Sequence, residues 1–226
     1  MKVERFLKAW AVAQRGAELI AESARQAVGA RGQFLLALSG GKSPWKMIHA
    51  LAKESVPWEC VHVFQVDERI APEGHPDRNL TTLREILLSQ TALPEGHIHP
   101  MPVDEDDTET AALNYAETLA RYGGTPTVLD MVCLGLGADG HTASLIPGDS
   151  VLNETATDVA ITEPHFGRNR MTLTYPILNR SRQILWVVTG AEKEPMLKRL
   201  INSDPAIPAG RVIQTNALLL TDYLGK

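Results

Sequence analysis

Near the start of the chain, Phe6, Trp10, Ala13, Ala17, Ile20, Ala24 and Ala27 recur at steps of three and four. That spacing gathers them on one face of an amphipathic helix. The rhythm then breaks at Phe34-Leu35-Leu36-Ala37-Leu38, an uninterrupted apolar run that ends in Ser39-Gly40-Gly41. A strand buried on both faces reads this way where it gives way to a loop. The same two rhythms alternate through the rest of the chain. They predict helices at 44–54, 79–89, 108–122 and 192–201, and strands at 61–66, 129–134, 159–162, 171–174, 184–188 and 217–220. A short extended segment falls at 98–101.

Strands alternating with helices imply an α/β fold, a mostly parallel sheet with helices on both faces. No repeat, low-complexity tract or linker divides the sequence, so residues 1–226 are expected to form a single domain. Ligands of such sheets sit beyond the carboxyl ends of the strands. The loops after Leu38, Val66 and Leu134 are therefore where function is expected.

Two of these loops imitate nucleotide sites. Gly41-Lys42-Ser43 has the ending of a phosphate-binding P-loop, but the glycine needed five positions before Gly41 is Leu36, inside the predicted strand. What survives is a strand-to-helix turn with two glycines, Ser43 as a candidate cap and Pro44 suited to the first helical position. A helix start beside a lysine still favours one phosphate. Gly135-Leu136-Gly137-Ala138-Asp139-Gly140 matches the dinucleotide fingerprint, yet Pro147-Gly148 interrupts the helix that should follow. Asp139 would also place a negative charge where a pyrophosphate belongs.

Composition narrows the class. A formal net charge of −5 argues against a nucleic-acid partner, although a local basic pocket remains compatible with it. Cys60 and Cys133 lie far apart in apolar runs, as core thiols of a reducing compartment do. Ala11-Val12-Ala13 resembles a signal-cleavage site, but Lys8 interrupts the apolar stretch before it. With no apolar run of ~18 residues, no membrane span is expected, and a cytoplasmic location follows. The acidic run Asp104-Glu105-Asp106-Asp107 reads as the start of a helix, complementing its dipole.

Among the histidines, His141 stands on a strand-end loop beside Asp139, Thr142 and Ser144, where an imidazole can serve as general base or acid. His97 and His99 would share one face of a strand, but no partner ligand accompanies them and no metal site is expected. No Gly-x-Ser-x-Gly elbow is present.

Taken together, Ser39-Gly40-Gly41, Asp67-Glu68-Arg69 with Asn79, and the stretch GLGADGHTASLIPG from Gly135 to Gly148 resemble the 6-phosphogluconolactonase family. Arg170-Met171-Thr172-Leu173-Thr174 and Gly190-Ala191-Glu192-Lys193 resemble its later signature. The related glucosamine-6-phosphate deaminases share Asp-Gly-His but continue Ile-Ala-Phe-Asn-Glu-Pro, where this chain has Thr142-Ala143-Ser144-Leu145-Ile146-Pro147. The resemblance implies the fold shared with phosphosugar deaminases and isomerases. It also implies hydrolysis of 6-phospho-glucono-1,5-lactone in the oxidative pentose phosphate pathway, with no metal or organic cofactor.

A lactone is an activated ester, so water suffices as nucleophile once a base takes its proton. His141 is the candidate base, with Asp139 or Asp67 orienting it or binding a sugar hydroxyl. Backbone amides of the glycine loops, including Gly40, Gly41 and Gly137, are candidate oxyanion donors, and Ser39, Asn79 and Ser144 complete the expected binding set. For the phosphate, Arg170 and Lys193 match the family motif, and Arg69 and Arg168 supplement them. Lys42 and Arg78 replace residues more usual in the family and add positive charge, so either is expected to help hold the phosphate. A small sugar phosphate is the expected partner, with the protein a monomer or homodimer. The rival readings are an amino-sugar phosphate deaminase or isomerase, and a non-enzymatic sugar-phosphate sensor.

Overall fold

In the computed structural model, which describes residues 1–225, the chain opens on a strand that the hydropathy pattern does not reveal. This is β1 (Lys2–Arg5), an edge strand with exposed ends and half-buried middle residues. Helix α1 (Ala9–Arg31) follows and ends on Gly32 in the left-handed conformation. Its buried stripe is Val12, Ala13, Gly16, Ala17, Ile20, Ala21, Ala24 and Ala27. The expected stripe was set too early at its start: Phe6 precedes the helix and Trp10 is 71% exposed.

The apolar run becomes β2 (Phe34–Leu38), buried throughout. Helix α2 (Lys42–Leu51) starts two residues before the expected position, with Gly41 as its N-cap residue. Ser43 does not cap it, because its hydroxyl lies 2.7 Å from that of Thr189, and Pro44 is not the first helical residue. Then come β3 (Val61–Gln65), β4 (Asp67–Arg69), α3 (Asn79–Ile86), β5 (Ile98–His99) and α4 (Thr108–Gly123). Asp107 caps α4, accepting from Thr110 N at 3.1 Å. The chain completes with β6 (Met131–Leu134), β7 (Val159–Ile161), β8 (Arg170–Leu173), α5 (Tyr175–Arg180), β9 (Gln183–Val188), α6 (Glu194–Ile201) and β10 (Ala217–Thr221). The sequence pattern missed α5, which is too short to show a helical period.

Seven strands form one parallel sheet in the order β1-β10-β9-β6-β2-β3-β5. The expected mostly parallel sheet is present, but not every strand joins it. β4, β8 and β7 form a separate three-stranded antiparallel sheet, with Asp67 opposite Thr172 and Arg69 opposite Arg170. Asp67-Glu68-Arg69, expected as loop, is thus held in a ladder.

Period-two alternation assigns each strand residue to one of two cores. Phe34, Leu36 and Leu38 of β2 meet α1 and α2 on one face, together with Cys133, Leu185 and Val187. Leu35 and Ala37 point the other way, joining Val132, Leu134, Ile184 and Trp186 beneath α4, α5, α6 and the small sheet. Each fully buried aliphatic or aromatic side chain contributes about 1.5–3 kcal/mol. Of the two thiols only Cys133 is in the core; Cys60 is half-buried, and both are free. No helix among the described residues is long and apolar enough to cross a membrane.

Candidate active site

A cleft of about 460 Å³ opens beyond the carboxyl ends of β2, β3, β6 and β9. It is lined by the following residues singled out from the sequence: Ser39, Gly40, Gly41, Lys42, Asp67, Arg69, Asn79, Gly137, His141, Arg170 and Lys193. Segments far apart in sequence therefore converge on one place, beyond the carboxyl ends of the parallel strands.

A buried carboxylate fixes the second of these segments. Glu68 is fully enclosed, and its Oε1 accepts from Arg69 N at 2.8 Å and Asn79 N at 2.7 Å. Its Oε2 accepts from Leu80 N and the Gln65 side-chain amide, both at 2.8 Å. The orphan amides at the start of α3 are thus satisfied by a side chain from β4. Asn79 then donates to Asp67 O at 2.9 Å, which ties the helix start to the cleft wall. Position 40 must be glycine here, because a Cβ would come 2.1 Å from Asn79 Oδ1.

His141 takes its place in the third loop. Its Nδ1 lies 2.6 Å from Asp139 Oδ1, which also accepts the His141 backbone N–H at 3.1 Å. Burial alone would push the Asp139 carboxyl up. The charge and hydrogen bonds of His141 more than offset this, holding it below the usual carboxylate range. An ionised carboxylate only accepts, so Nδ1 carries a proton, and in the neutral imidazole Nε2 is then the acceptor. A Cβ at Gly137 would stand 2.1 Å from Nδ1, so the loop closes on the imidazole only with glycine at that position. Asp139, and not Asp67, lies against the histidine. Asp67 is occupied by Ser144, whose hydroxyl donates to Oδ2 at 2.7 Å.

The charge of the cleft opposes that of the chain. Lys42, Arg69, Arg170 and Lys193 line it, against Asp67 and Glu192. Burial lowers the Arg170 pKa, with Asp67 working against the shift and Arg69 reinforcing it. Three buried polar atoms around the cleft, Ser39 Oγ, Arg69 Nε and Arg170 Nε, have no partner among the described residues. Such groups are rare in folded proteins and concentrate at functional sites.

Three expectations fail here for physical reasons. Arg168 does not line the cleft; it turns outward to Asp77 Oδ2 and His75 Nε2, each at 3.3 Å. Ser144 is fully buried and holds Asp67 without itself reaching the cleft. Arg78 is 2% exposed and bridges Asp104 and Glu68, so it is spent inside the protein. Asp104 correspondingly does more than start a helix. The sequence reading also overlooked Thr189 and Glu192, which line the cleft. Glu192 had a signal, standing beside Lys193 in a quoted motif; Thr189 had none, since its contact with Ser43 spans distant elements.

Comparison with known proteins bears on this geometry. The family described as glucosamine-6-phosphate isomerases/6-phosphogluconolactonase matches residues 8–220. A 6-phosphogluconolactonase from Synechocystis sp. is 40% identical over 202 residues, covering 86% of this chain and 83% of its own. The crystal structure of a 6-phosphogluconolactonase from Shewanella baltica is 27% identical with a TM-score of 0.85, covering 98% of this chain and 97% of its own. A monomeric glucosamine-6-phosphate deaminase has the same fold at 16% identity, with a TM-score of 0.86 over 98% of this chain and 97% of its own.

Proposed function

The chain belongs to the glucosamine-6-phosphate isomerase/6-phosphogluconolactonase family, and on that premise we propose that it hydrolyses 6-phospho-D-glucono-1,5-lactone to 6-phospho-D-gluconate. The step belongs to the oxidative pentose phosphate pathway. The observation that carries the mechanism is the His141–Asp139 pair at the edge of a cationic cleft.

Nε2 of His141 takes a proton from water as the oxygen attacks the lactone carbonyl. The imidazolium formed is stabilised by Asp139, which already holds Nδ1–H. The tetrahedral oxyanion needs donors fixed in advance, and the amides of Gly40 and Gly41, with Arg170 nearby, are placed to provide them. Collapse of the intermediate breaks the bond from the carbonyl carbon to the ring oxygen, which receives the proton from Nε2. Lys42, Lys193 and the unoccupied amides at the start of α2 favour the phosphate end. Asp67 and Asn79 are placed for sugar hydroxyls, and Ser39 lies beside them. Residues 1–226 act as one catalytic unit, a cytoplasmic monomer or homodimer; the two free cysteines suit a reducing compartment.

The test is hydrolysis of freshly generated lactone, corrected for spontaneous opening, with glucosamine 6-phosphate offered in parallel. Lactone hydrolysis without ammonia release is expected. His141→Ala should lower the enzymatic increment about a hundredfold to ten-thousandfold. Ammonia release, or an unimpaired variant, would overturn the reading.

A further inference from the structure

A second cleft, about 600 Å³, lies at the opposite end of the large sheet. Its rim is built from the first residues of four strands, Lys2 of β1, Phe34 of β2, Gln183 of β9 and Ala217 of β10, together with Asp130 just before β6.

The charges in it are unbalanced. Lys2, Arg31 and Arg182 line the cleft against Glu4 and Asp130. Glu4 is already engaged by Arg15 Nε at 3.1 Å, which leaves Asp130 as the counter-charge for three cations. Asp130 is itself nearly saturated. Its Oδ1 receives Arg31 Nε at 3.1 Å and Nη2 at 2.7 Å, and Arg182 Nε lies 3.3 Å away. Its Oδ2 accepts Leu35 N at 2.9 Å. Two guanidinium groups are thereby drawn to one oxygen, with their remaining N–H donors and the Lys2 ammonium without partners among the described residues.

We propose that this cleft is a second binding site, distinct from the catalytic one, and that it takes a phosphomonoester. The excess positive charge suits a dianion, and adjacent guanidinium forks suit the tetrahedral oxygens of phosphate. The volume exceeds what a phosphate group alone would fill. Ala27, Phe34 and Leu218 supply an apolar wall for an organic body, and the Gln26 side chain and the Gln183 amide nitrogen beside it are uncommitted among the described residues. Burying one anionic group against this set needs little rearrangement, because Asp130 already holds both arginines in place.

Amide shifts of the full chain, followed by NMR during titration with adenosine monophosphate, glucose 6-phosphate and inorganic phosphate, test the proposal. Either organic phosphate should move Phe34, Gln183, Ala217 and Leu218 saturably and more tightly than inorganic phosphate does. Shifts at Gly40 and Gly41 report the catalytic cleft separately, so failure of one site is distinguishable from failure of the other. Arg182→Gln and the milder Lys2→Gln should each weaken binding about tenfold while leaving the catalytic rate unchanged. Lys193→Gln should leave these shifts intact. Absence of saturable shifts with every probe, equal affinity for inorganic phosphate, or unchanged affinity in both variants would overturn it.

Discussion

His141 and the trio His62, His97 and His99 place one kind of side chain in two opposite settings. His141 is a third exposed and held by an ionised carboxylate at 2.6 Å. His62 and His99 are buried, with Nδ1 of one 3.0 Å from Nε2 of the other, and no carboxylate attends them. The His62 ring stacks on His97, with centroids 4.0 Å apart, and on His99, and the Tyr122 ring meets both His62 and His99 at a tilt. Burial, reinforced by neighbouring histidine charge and for His99 also by Arg121, brings both pKa values down to about 4. An imidazole becomes useful for proton transfer where a partner stabilises its charged form and solvent reaches it. Without either, it is an aromatic filler that happens to hydrogen-bond. His97 also departs from the expected strand face, since it sits in the turn before β5 and bonds Val61 O at 3.1 Å. Among the described residues, no group of three His, Cys, Asp or Glu side chains is arranged to hold a metal.

Removing the feature that separates the two settings should have the largest effect. Asp139→Asn keeps the shape but presents an amide to Nδ1, favouring the tautomer with its proton on Nε2. A fall in kcat of about a hundredfold is expected with little change in KM, read from steady-state lactone hydrolysis. A parallel loss in both, or none, would mean Asp139 does not set the tautomer.

The buried trio should betray itself in acid. His62 and His99 have folded pKa values below those of the unfolded chain, so the unfolded chain binds protons first as pH falls. Stability present above about pH 6.5 should therefore decline towards pH 4, by on the order of 3 kcal/mol for each ring. Urea midpoints across that range measure it, and His99→Phe should flatten the slope. A flat wild-type profile would show that the rings titrate alike in both states.

The smallest effect is expected at Lys42, an exposed cation at the rim of the His141 cleft. Lys42→Met should raise KM about threefold and leave kcat alone, as loss of one solvated phosphate contact does. An unchanged KM would remove Lys42 from the phosphate end.

The same contrast separates what the sequence made legible from what it hid. Apolar runs such as 34–38 identified the strands, and loops at their ends located the cleft, because both follow from local chemistry. The motif around His141 carried its own orienting acid two residues away, within reach of inspection. Arg78 and Arg168 were indistinguishable from Arg69 and Arg170 as letters. What separates them is which carboxylate lies across a fold boundary, Asp104 and Glu68 for one and Asp77 for the other. The histidine stack was equally hidden, since it exists only once β3 pairs with β5. Strand β1 escaped because a short edge strand with half its surface in water has almost no hydropathy signature.

That edge strand has a consequence for how the chain is made. Lys2 sits opposite Leu218 and Arg5 opposite Thr221, so β1 pairs with a strand made more than 200 residues later. Until β10 emerges, β1 has no neighbour and the sheet cannot be completed in its final order. Because the two strands run parallel, Lys2 lies at one end of the pair and Thr221 at the other. A link from the end of β10 to the start of β1 would have to run back along the length of the pair, as any connection between parallel neighbours must.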